Sequence, residues 1–144
     1  MKWLAGGMKS GIMKCLASAG LLLPLAAMAA DVEVHVSGVA GATGKVNVAV
    51  CDREHFLKQC AYSASVPARA GATVAVVRGV PPGRWAVLAY QDENANGELD
   101  RNLVGIPREN YGFSRAARGR FGPPTFDDAA IEVGEGAVVA VELH

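Results

Sequence analysis

Alternating valines are the sequence feature that most constrains the fold of this chain. Valine occupies every second position from 32 to 36 and again from 46 to 50, with mostly polar residues between. Because successive side chains of a strand point to opposite faces, each segment predicts a strand with one buried and one exposed face. The small residues from 38 to 44 predict a hairpin loop between the two strands.

Further segments complete the predicted sheets. Four of them combine apolar residues with turn residues at their ends, namely 61–66, 73–80, 129–133 and 137–143. The glycine-rich turn between the last two predicts that they pair as a hairpin. With residues 85–90 included, the pattern predicts six to seven short strands. The predicted fold is an all-β antiparallel sandwich, prealbumin-like or immunoglobulin-like, with one short helix and a long ordered loop.

Residues 85–90 differ from the other predicted strands because they are apolar at every position. A strand of this kind is normally covered on both faces. The expected cover is the segment 92–128, called the excursion below, which is far longer than a typical connection between strands. It holds four of the eight aromatic residues that follow position 29, namely Tyr111, Phe113, Phe121 and Phe126. We therefore expect the excursion to be ordered and to pack these rings as a local core over the strand.

The first 29 residues have the pattern of a secretory signal peptide. Basic residues precede an apolar run at 16–25, and Ala27-Met28-Ala29 forms a small-x-small cleavage signal. As a membrane anchor the run would be short, and Pro24 would interrupt it. The sequence therefore predicts an exported chain, periplasmic or extracellular. It also predicts one β-sandwich domain over 30–144 and no membrane span after cleavage.

Two cysteines, Cys51 and Cys60, follow the predicted cleavage point. An oxidising compartment favours a disulfide between them. This disulfide would close a ten-residue loop and stabilise the fold by about 2 to 3 kcal/mol in the chain-entropy model. Asp52 is placed to cap a short helix over residues 54–58, which would bring the two cysteines together. A metal site would need more Cys or His nearby, and a CxxC redox pair has two intervening residues rather than eight.

The charge of the exported part is nearly balanced. The predicted signal peptide contains three of the 14 basic residues and none of the 14 acidic residues, so 11 basic residues remain against 14 acidic ones. This mild excess of acid disfavours nucleic acid as a partner. A protein, a peptide or a glycan remains as the partner class.

Oxygen-bearing side chains recur at every second position from residue 92, and a glycine follows. Calcium takes six to eight oxygen ligands, and a tightly wound loop with this spacing supplies them. The predicted ligands in the loop are the side chains of Asp92, Asn94, Asn96 and Asp100 and the backbone carbonyl of Glu98. The alternative is a metal-free turn in which the Asx side chains bond to their own backbone.

The calcium pattern is incomplete at its twelfth position. Leu103 stands there, where an EF-hand loop has a bidentate glutamate. A calcium site in this loop would therefore need a remote carboxylate to complete it. The candidates are Asp127, Asp128 and Glu109.

Five motifs follow one another in the second half of the chain. They are Pro-Pro-Gly-Arg-Trp-Ala at 81–86, Asp-Glu-Asn-Ala-Asn-Gly-Glu-Leu-Asp at 92–100, Gly-Ile-Pro-Arg-Glu at 105–109, Tyr-Gly-Phe-Ser at 111–114 and Phe-Gly-Pro-Pro-Thr-Phe-Asp-Asp-Ala at 121–129. Together they resemble the bacterial exported family named for domain of unknown function 2141. The resemblance implies an exported protein of about this size and implies no activity. More distantly, the Pro-Pro-Gly turn before an aromatic strand resembles the prealbumin-like domains attached to carboxypeptidases, which are mostly structural or adhesive modules.

The excursion also concentrates positive charge. Five of the 11 basic residues lie in it, all of them arginines. Guanidinium groups fit carboxylates and phosphates, so one prediction is a carrier of an anionic or carbohydrate ligand. The residues predicted to bind that ligand are Arg108, Tyr111, Phe113, Arg115 and Arg118. The alternative is that the arginines balance nearby acids and the aromatic rings form local core.

Patterns for catalysis are weak in this sequence. Ser114 lacks the second glycine and the strand-turn-helix context of a nucleophile elbow. Asp127 and Asp128 are adjacent, and adjacent side chains on an extended chain point apart. We therefore predict no enzyme but a binding or structural module, with calcium as a candidate cofactor. The ligand carrier and a small enzyme with its site on the excursion are the alternatives.

Overall fold

The computed structural model describes residues 20–22 and 28–144. The predicted signal peptide, residues 1–29, lies mostly outside these described residues. Within them, no helix combines the length and the apolar character needed to cross a membrane.

Eight strands form the framework of the described chain. In chain order they are β1 (Ala30–Val39), β2 (Lys45–Cys51), β3 (Tyr62–Pro67), β4 (Gly71–Val80), β5 (Gly83–Asp92), β6 (Tyr111–Phe113), β7 (Ile131–Val133) and β8 (Val138–Glu142). A 3₁₀ turn at Ser114–Ala116 follows β6, and the short helix α1 (Phe126–Ala129) precedes β7.

The strands form two sheets. The first has three strands in the order β4-β1-β8. The second has the order β3-β2-β5-β6, and β7 also pairs with β5. All neighbours are antiparallel except β1 and β8, which are parallel. The predicted all-β sandwich is confirmed, with eight strands rather than six or seven.

The alternating valines form the core between the two sheets. Val32 and Val34 of β1 and Val46 and Val48 of β2 are at most 1% exposed. From β5, Val87 joins the same cluster. The polar residues between the valines lie on the outer faces, as the period of two predicts.

The outer face of β5 is also covered, as its continuous apolar character predicts. A second cluster contains Ala86 of β5 together with Phe113 and Phe126 of the excursion. Phe56, in the connection between β2 and β3, adds its ring at 5.9 Å from that of Phe113. The excursion therefore covers this face, and the β2–β3 connection contributes a ring that was not predicted. Phe121 is the exception among the four aromatic residues, because it is fully exposed.

The predicted hairpin at the end of the chain is wrong. β7 pairs with β5 of the second sheet, whereas β8 runs parallel to β1 in the first sheet. The glycine-rich turn between them therefore carries the chain from one sheet to the other. Period and turn composition identify two strands, but they do not tell a hairpin from a crossing between sheets.

The predicted helix over 54–58 is also wrong, because these residues form successive turns. Leu57 has a positive φ of 62°, which an α-helix does not accommodate. Asp52 still caps the segment, since its Oδ1 accepts a hydrogen bond from the backbone N–H of His55 at 2.8 Å. The turns bring the cysteines together, and the predicted disulfide between Cys51 and Cys60 is present with Cα atoms 4.9 Å apart.

Candidate functional site

Asp92 anchors the candidate calcium loop at the end of β5. Its side chain is 1% exposed. Its carboxylate accepts hydrogen bonds from the backbone N–H groups of Asn96 and Gly97, at 3.1 and 2.7 Å, and from the side chain of Asn47 at 3.1 Å. A buried carboxylate needs such donors, because without them the loss of hydration would destabilise the fold. Gly44 lies close by, where an added Cβ would be only 2.1 Å from the Asp92 carbonyl oxygen.

Three polar side chains of the loop meet at one point. The side-chain amide of Asn94 donates to Asp100 Oδ2 at 2.6 Å, and that of Asn96 donates to Asp100 Oδ1 at 2.7 Å. The Asn96 Oδ1 atom accepts from the backbone N–H of Glu98 at 2.9 Å. The arrangement contains the Asx turns expected of a metal-free loop, and it also gathers three of the four predicted side-chain ligands, namely Asn94, Asn96 and Asp100.

Glu109 joins the two ends of the loop. It is 8% exposed, and its two carboxylate oxygens accept from the backbone N–H groups of Glu93 and Asp100, each at 3.1 Å. Burial is the main influence on this group and raises the pKa of Glu109, while the two backbone hydrogen bonds oppose the rise. Of the three remote carboxylates considered, Glu109 is therefore the one that lies at the loop.

Asp127 and Asp128 do not reach the loop, so the remote ligand predicted from them is not supplied. Asp127 pairs with Arg53 and with Arg84, which lies at the beginning of β5. Asp92 ends that strand eight residues later, at a distance of about 26 Å along an extended chain. The Arg53 hydrogen bond is the main cause that holds the pKa of Asp127 below its usual value. Asp128 instead completes the capping box of α1 with Thr125.

Within the described residues, no three His, Cys, Asp or Glu side chains form a group that could hold a metal ion. Two of the three converging side chains of the loop at 92–100 are asparagines. Amide oxygens are acceptable calcium ligands beside carboxylates and backbone carbonyls. A calcium site here would therefore depend on the asparagines as much as on the acids.

A groove lies on the outer face of the second sheet, beside the loop. Its floor is a row of residues from neighbouring strands, in which Ser63 pairs with Ala49, Ala49 with Leu88, and Leu88 with Phe113. Tyr90 and Tyr111 extend the floor toward the loop, and the volume of the groove is about 910 Å³. Small-molecule sites have volumes of roughly 300 to 1,000 Å³.

The walls of the groove carry apolar side chains that stay exposed. On the excursion these are Val104, 80% exposed, Ile106, 60% exposed, and Phe121. Leu57, from the turns before Cys60, is 41% exposed and also lines the groove. The loop itself contributes Gly97 to Leu99, and the hydroxyl of Tyr90 donates to the Gly97 carbonyl at 2.9 Å. The groove and the candidate calcium loop therefore share a wall.

The residues predicted to bind a ligand divide between different places. Tyr111 and Phe113 line the groove. Arg118 lies beside His144 in a smaller cavity of about 210 Å³, which Tyr111 and Phe113 also line. Arg115 donates to the Asp127 backbone carbonyl at 3.1 Å, and Arg108 is exposed and lines none of the described cavities. The structure thus brings Tyr111, Phe113 and Arg118 to one small cavity and does not gather the three arginines into one anion site.

Ser114 connects the excursion to the sheet. It is fully buried, its hydroxyl donates to the Ala129 carbonyl at 2.5 Å, and its oxygen accepts from the Val87 N–H at 3.0 Å. Both contacts are with backbone, so the hydroxyl holds α1 and the 3₁₀ turn against β5.

Two parts of the site were not predicted from the sequence. The sequence marks Asn47 only as a polar position between the valines of β2. In the structure Asn47 lies opposite Tyr90, and its side-chain amide donates to both Tyr90 and Asp92. Val104 and Ile106, apolar residues of the groove wall, were also not predicted to form part of a site. A signal was present, because two β-branched residues in a polar segment without a strand period are unusual.

Comparisons with known proteins found one match. A search of curated proteins and a search of solved structures gave no match, so the prealbumin-like likeness stays a prediction. A family model described as "Uncharacterized protein conserved in bacteria (DUF2141)" matches residues 34–141, which include every strand from β2 to β7 and most of β1 and β8. The chain therefore belongs to the DUF2141 family of conserved bacterial proteins.

Proposed function

We propose that this protein is an exported, non-catalytic binding module that holds a small ligand in the groove on the outer face of the second sheet. In this proposal the loop at 92–100 binds calcium and thereby fixes one wall of the groove. The pattern of the first 29 residues supports export. The burial of Ser114 supports a structural rather than a nucleophilic role for that hydroxyl.

The groove carries the proposal. Apolar side chains exposed together in a concave surface mark ligand or partner sites more often than apolar residues scattered singly. Here Val104, Ile106 and Phe121 are each at least 60% exposed, and Leu57 also lines the groove. A bound ligand would remove this apolar surface from water, which is a favourable contribution to binding.

The calcium part of the proposal rests on the convergence of Asn94, Asn96 and Asp100. The side-chain amide hydrogens of Asn94 and Asn96 now balance the charge of the Asp100 carboxylate. Rotation of each side-chain amide by 180° about its Cβ–Cγ bond would present the amide oxygen instead of the amide hydrogens. Calcium would then replace these hydrogens as the positive partner of the Asp100 carboxylate. Asp92 and Glu109 would hold the loop around the ion, because both bond to its backbone N–H groups.

Calcium is expected to raise the melting temperature of the exported chain, and a chelator is expected to lower it. At a free concentration of one hundred times the dissociation constant, one ion stabilises the folded state by about 2.7 kcal/mol. Thermal melts of the oxidised chain with calcium and with chelator measure this effect. Asp100→Asn should abolish the difference between the two melts, whereas Glu135→Gln, on an exposed turn, should preserve it. Identical melts of the wild-type chain in the two conditions would contradict the calcium site.

A substitution that fills the groove tests the binding site. Ala49 lies on the groove floor, and Ala140 is an equally small residue on the outer face of the other sheet. The fluorescent dye anilinonaphthalene sulfonate, an anion with apolar aromatic rings, should bind the wild-type chain and the Ala140→Trp variant alike. Ala49→Trp should abolish dye binding while leaving the melting temperature close to that of Ala140→Trp. Equal dye binding by the two variants would place the apolar site elsewhere.

A further inference from the structure

The excursion contains a short hairpin, residues 101–108, which is called the tip below. Its two arms form a β-bridge, and the backbone N–H of Asn102 donates to the Ile106 carbonyl at 2.9 Å. The N–H of Gly105 donates to the Asn102 carbonyl, also at 2.9 Å. The side-chain oxygen of Asn102 accepts from the N–H groups of Val104 and Ile106, at 3.1 and 3.0 Å. The tip is therefore a hydrogen-bonded turn with a defined shape.

The side chains at the end of this hairpin are apolar and exposed. Leu103 is fully exposed and lines none of the described cavities. Val104 and Ile106 line the groove and are nevertheless 80% and 60% exposed. Tight turns are usually built from polar residues and glycine, and apolar residues exposed together mark contact with a partner or a membrane. A ligand in the groove does not account for Leu103, which therefore calls for a partner of its own.

The tip lies in the basic part of an otherwise acidic chain. Residues 101–126 contain five arginines and one acidic residue, whereas the rest of 30–144 contains six basic and 13 acidic residues. Arg101 and Arg108 begin and end the tip, and both are exposed. The one acidic residue, Glu109, is buried and bonded to two backbone N–H groups. The tip therefore presents positive charge beside its apolar side chains.

The acidic residues of the preceding loop give this charge a direction. Asp100 precedes Arg101, but its carboxylate accepts from the side-chain amides of Asn94 and Asn96. Glu98 is exposed and lines the groove. An anionic surface therefore attracts the chain with the tip forward and repels it in orientations that present the acidic remainder.

A membrane surface fits the tip better than a folded protein does. A standard protein interface takes about 20 to 30 residues from each partner, and the tip has eight residues. A bilayer adapts to a small projection, accepts apolar side chains in its interfacial region and attracts basic residues when its lipids are anionic. Backbone polar groups that enter this region need partners. The hairpin supplies partners for the N–H groups of residues 104–106.

We infer that the tip binds the surface of a membrane that contains anionic phospholipid. Leu103 enters the interfacial region, with Val104 and Ile106 beside it. Arg101 and Arg108 bind lipid phosphate groups. This inference goes beyond the proposed function, because it assigns a second partner to a surface whose most exposed side chain lies outside the groove.

Vesicle sedimentation tests the inference on the oxidised chain of residues 30–144. The chain should bind vesicles of phosphatidylglycerol and phosphatidylcholine in equal parts, and it should bind vesicles of phosphatidylcholine alone roughly tenfold more weakly. A chelator is present throughout, so that calcium cannot bridge the chain to lipid phosphates. Leu103→Ser and Arg108→Glu should each weaken binding to the anionic vesicles by roughly tenfold or more.

Two substitutions on the other sheet are matched controls. Val138 is 64% exposed, and the side chain of Arg78 is 83% exposed. Val138→Ser and Arg78→Glu make comparable changes away from the tip and should leave vesicle binding unchanged. Insertion is measured by fluorescence, which should shift to the blue for Leu103→Trp on anionic vesicles and should not shift for Val138→Trp.

Several outcomes would overturn the inference. One is no binding of the wild-type chain to the anionic vesicles, and another is equal binding to both kinds of vesicle. If Leu103→Ser binds as well as Val138→Ser, or if Leu103→Trp shows no blue shift, the membrane contact lies elsewhere on the chain. Self-association of the free chain that Leu103→Ser abolishes, without vesicle binding, would assign the tip to a second copy of the chain instead.

Discussion

Replacing Phe113 with alanine is expected to destabilise the fold by about 3 to 5 kcal/mol, the usual effect of deleting a large buried ring. Phe113 is 4% exposed and packs edge-on against Phe56 and Tyr111, with ring centroids 5.9 Å apart in both pairs. It belongs to the cluster that covers the outer face of β5. Chemical denaturation of the oxidised chain measures the change in the free energy of unfolding.

Phe121 provides the matched control for this prediction. It lies in the same excursion and is the same residue type, but its side chain is fully exposed. Phe121→Ala should change the free energy of unfolding by less than about 0.5 kcal/mol, as is usual for surface positions. It should nevertheless weaken dye binding, because Phe121 forms part of the groove wall. Equal destabilisation by the two substitutions would contradict the assignment of Phe113 to a core cluster and of Phe121 to an open wall.

The second large effect is expected from Asp92→Ala, which should cost about 3 kcal/mol of stability and abolish the response to calcium. The substitution removes the acceptor of the Gly97 N–H group, and it removes one of the two acceptors of the Asn96 N–H group and of the Asn47 amide. An unsatisfied buried donor destabilises by about 1 to 3 kcal/mol, and loop movement or entering water offsets part of the sum. Thermal and chemical unfolding, each with calcium and with chelator, measure both effects.

Glu93→Ala is the control in the same loop. Glu93 is exposed, and only its backbone N–H takes part in the loop network, through Glu109. The variant should keep both the stability and the calcium response of the wild-type chain. Should Asp92→Ala behave like Glu93→Ala, the buried carboxylate would not be the anchor of the loop.

The framework of the fold follows from local pattern. Alternating valines at 32–36 and 46–50 identify β1 and β2, and continuous apolar character at 85–90 identifies a strand covered on both faces. These predictions succeed because the period of side-chain orientation is a local property of a strand. Pairing between distant strands is not local. The sequence therefore did not reveal that β8 lies parallel to β1, or that the turn at 134–136 crosses between sheets.

The candidate site was predictable where its residues are close in sequence. The spacing of Asp92, Asn94, Asn96 and Asp100 indicated a wound loop, and the structure gathers the last three of these side chains. Residues that reach the site from elsewhere depend on the path of the excursion. Asp127 is drawn to Arg53 and Arg84 rather than to the loop, and no local pattern encodes that choice.

The groove was hidden for a similar reason. Its floor is a row across four strands, from Ser63 through Ala49 and Leu88 to Phe113, so it exists only after the strands have paired. Its walls come from two separate connections. Exposed apolar residues in those connections are the part of the signal that is visible in the sequence.

The most direct test of the proposed binding groove is an amide NMR map of the oxidised chain of residues 30–144 during titration with the dye anilinonaphthalene sulfonate. If the groove is the binding site, the amides that shift should belong to its floor and walls, namely those of Ala49, Ser63, Leu88, Tyr111 and Ile106. The amides of Val74, Val76 and Val138, exposed apolar residues of the other sheet, should stay unchanged. Shifts confined to Val74, Val76 and Val138 would contradict a binding site on the second sheet.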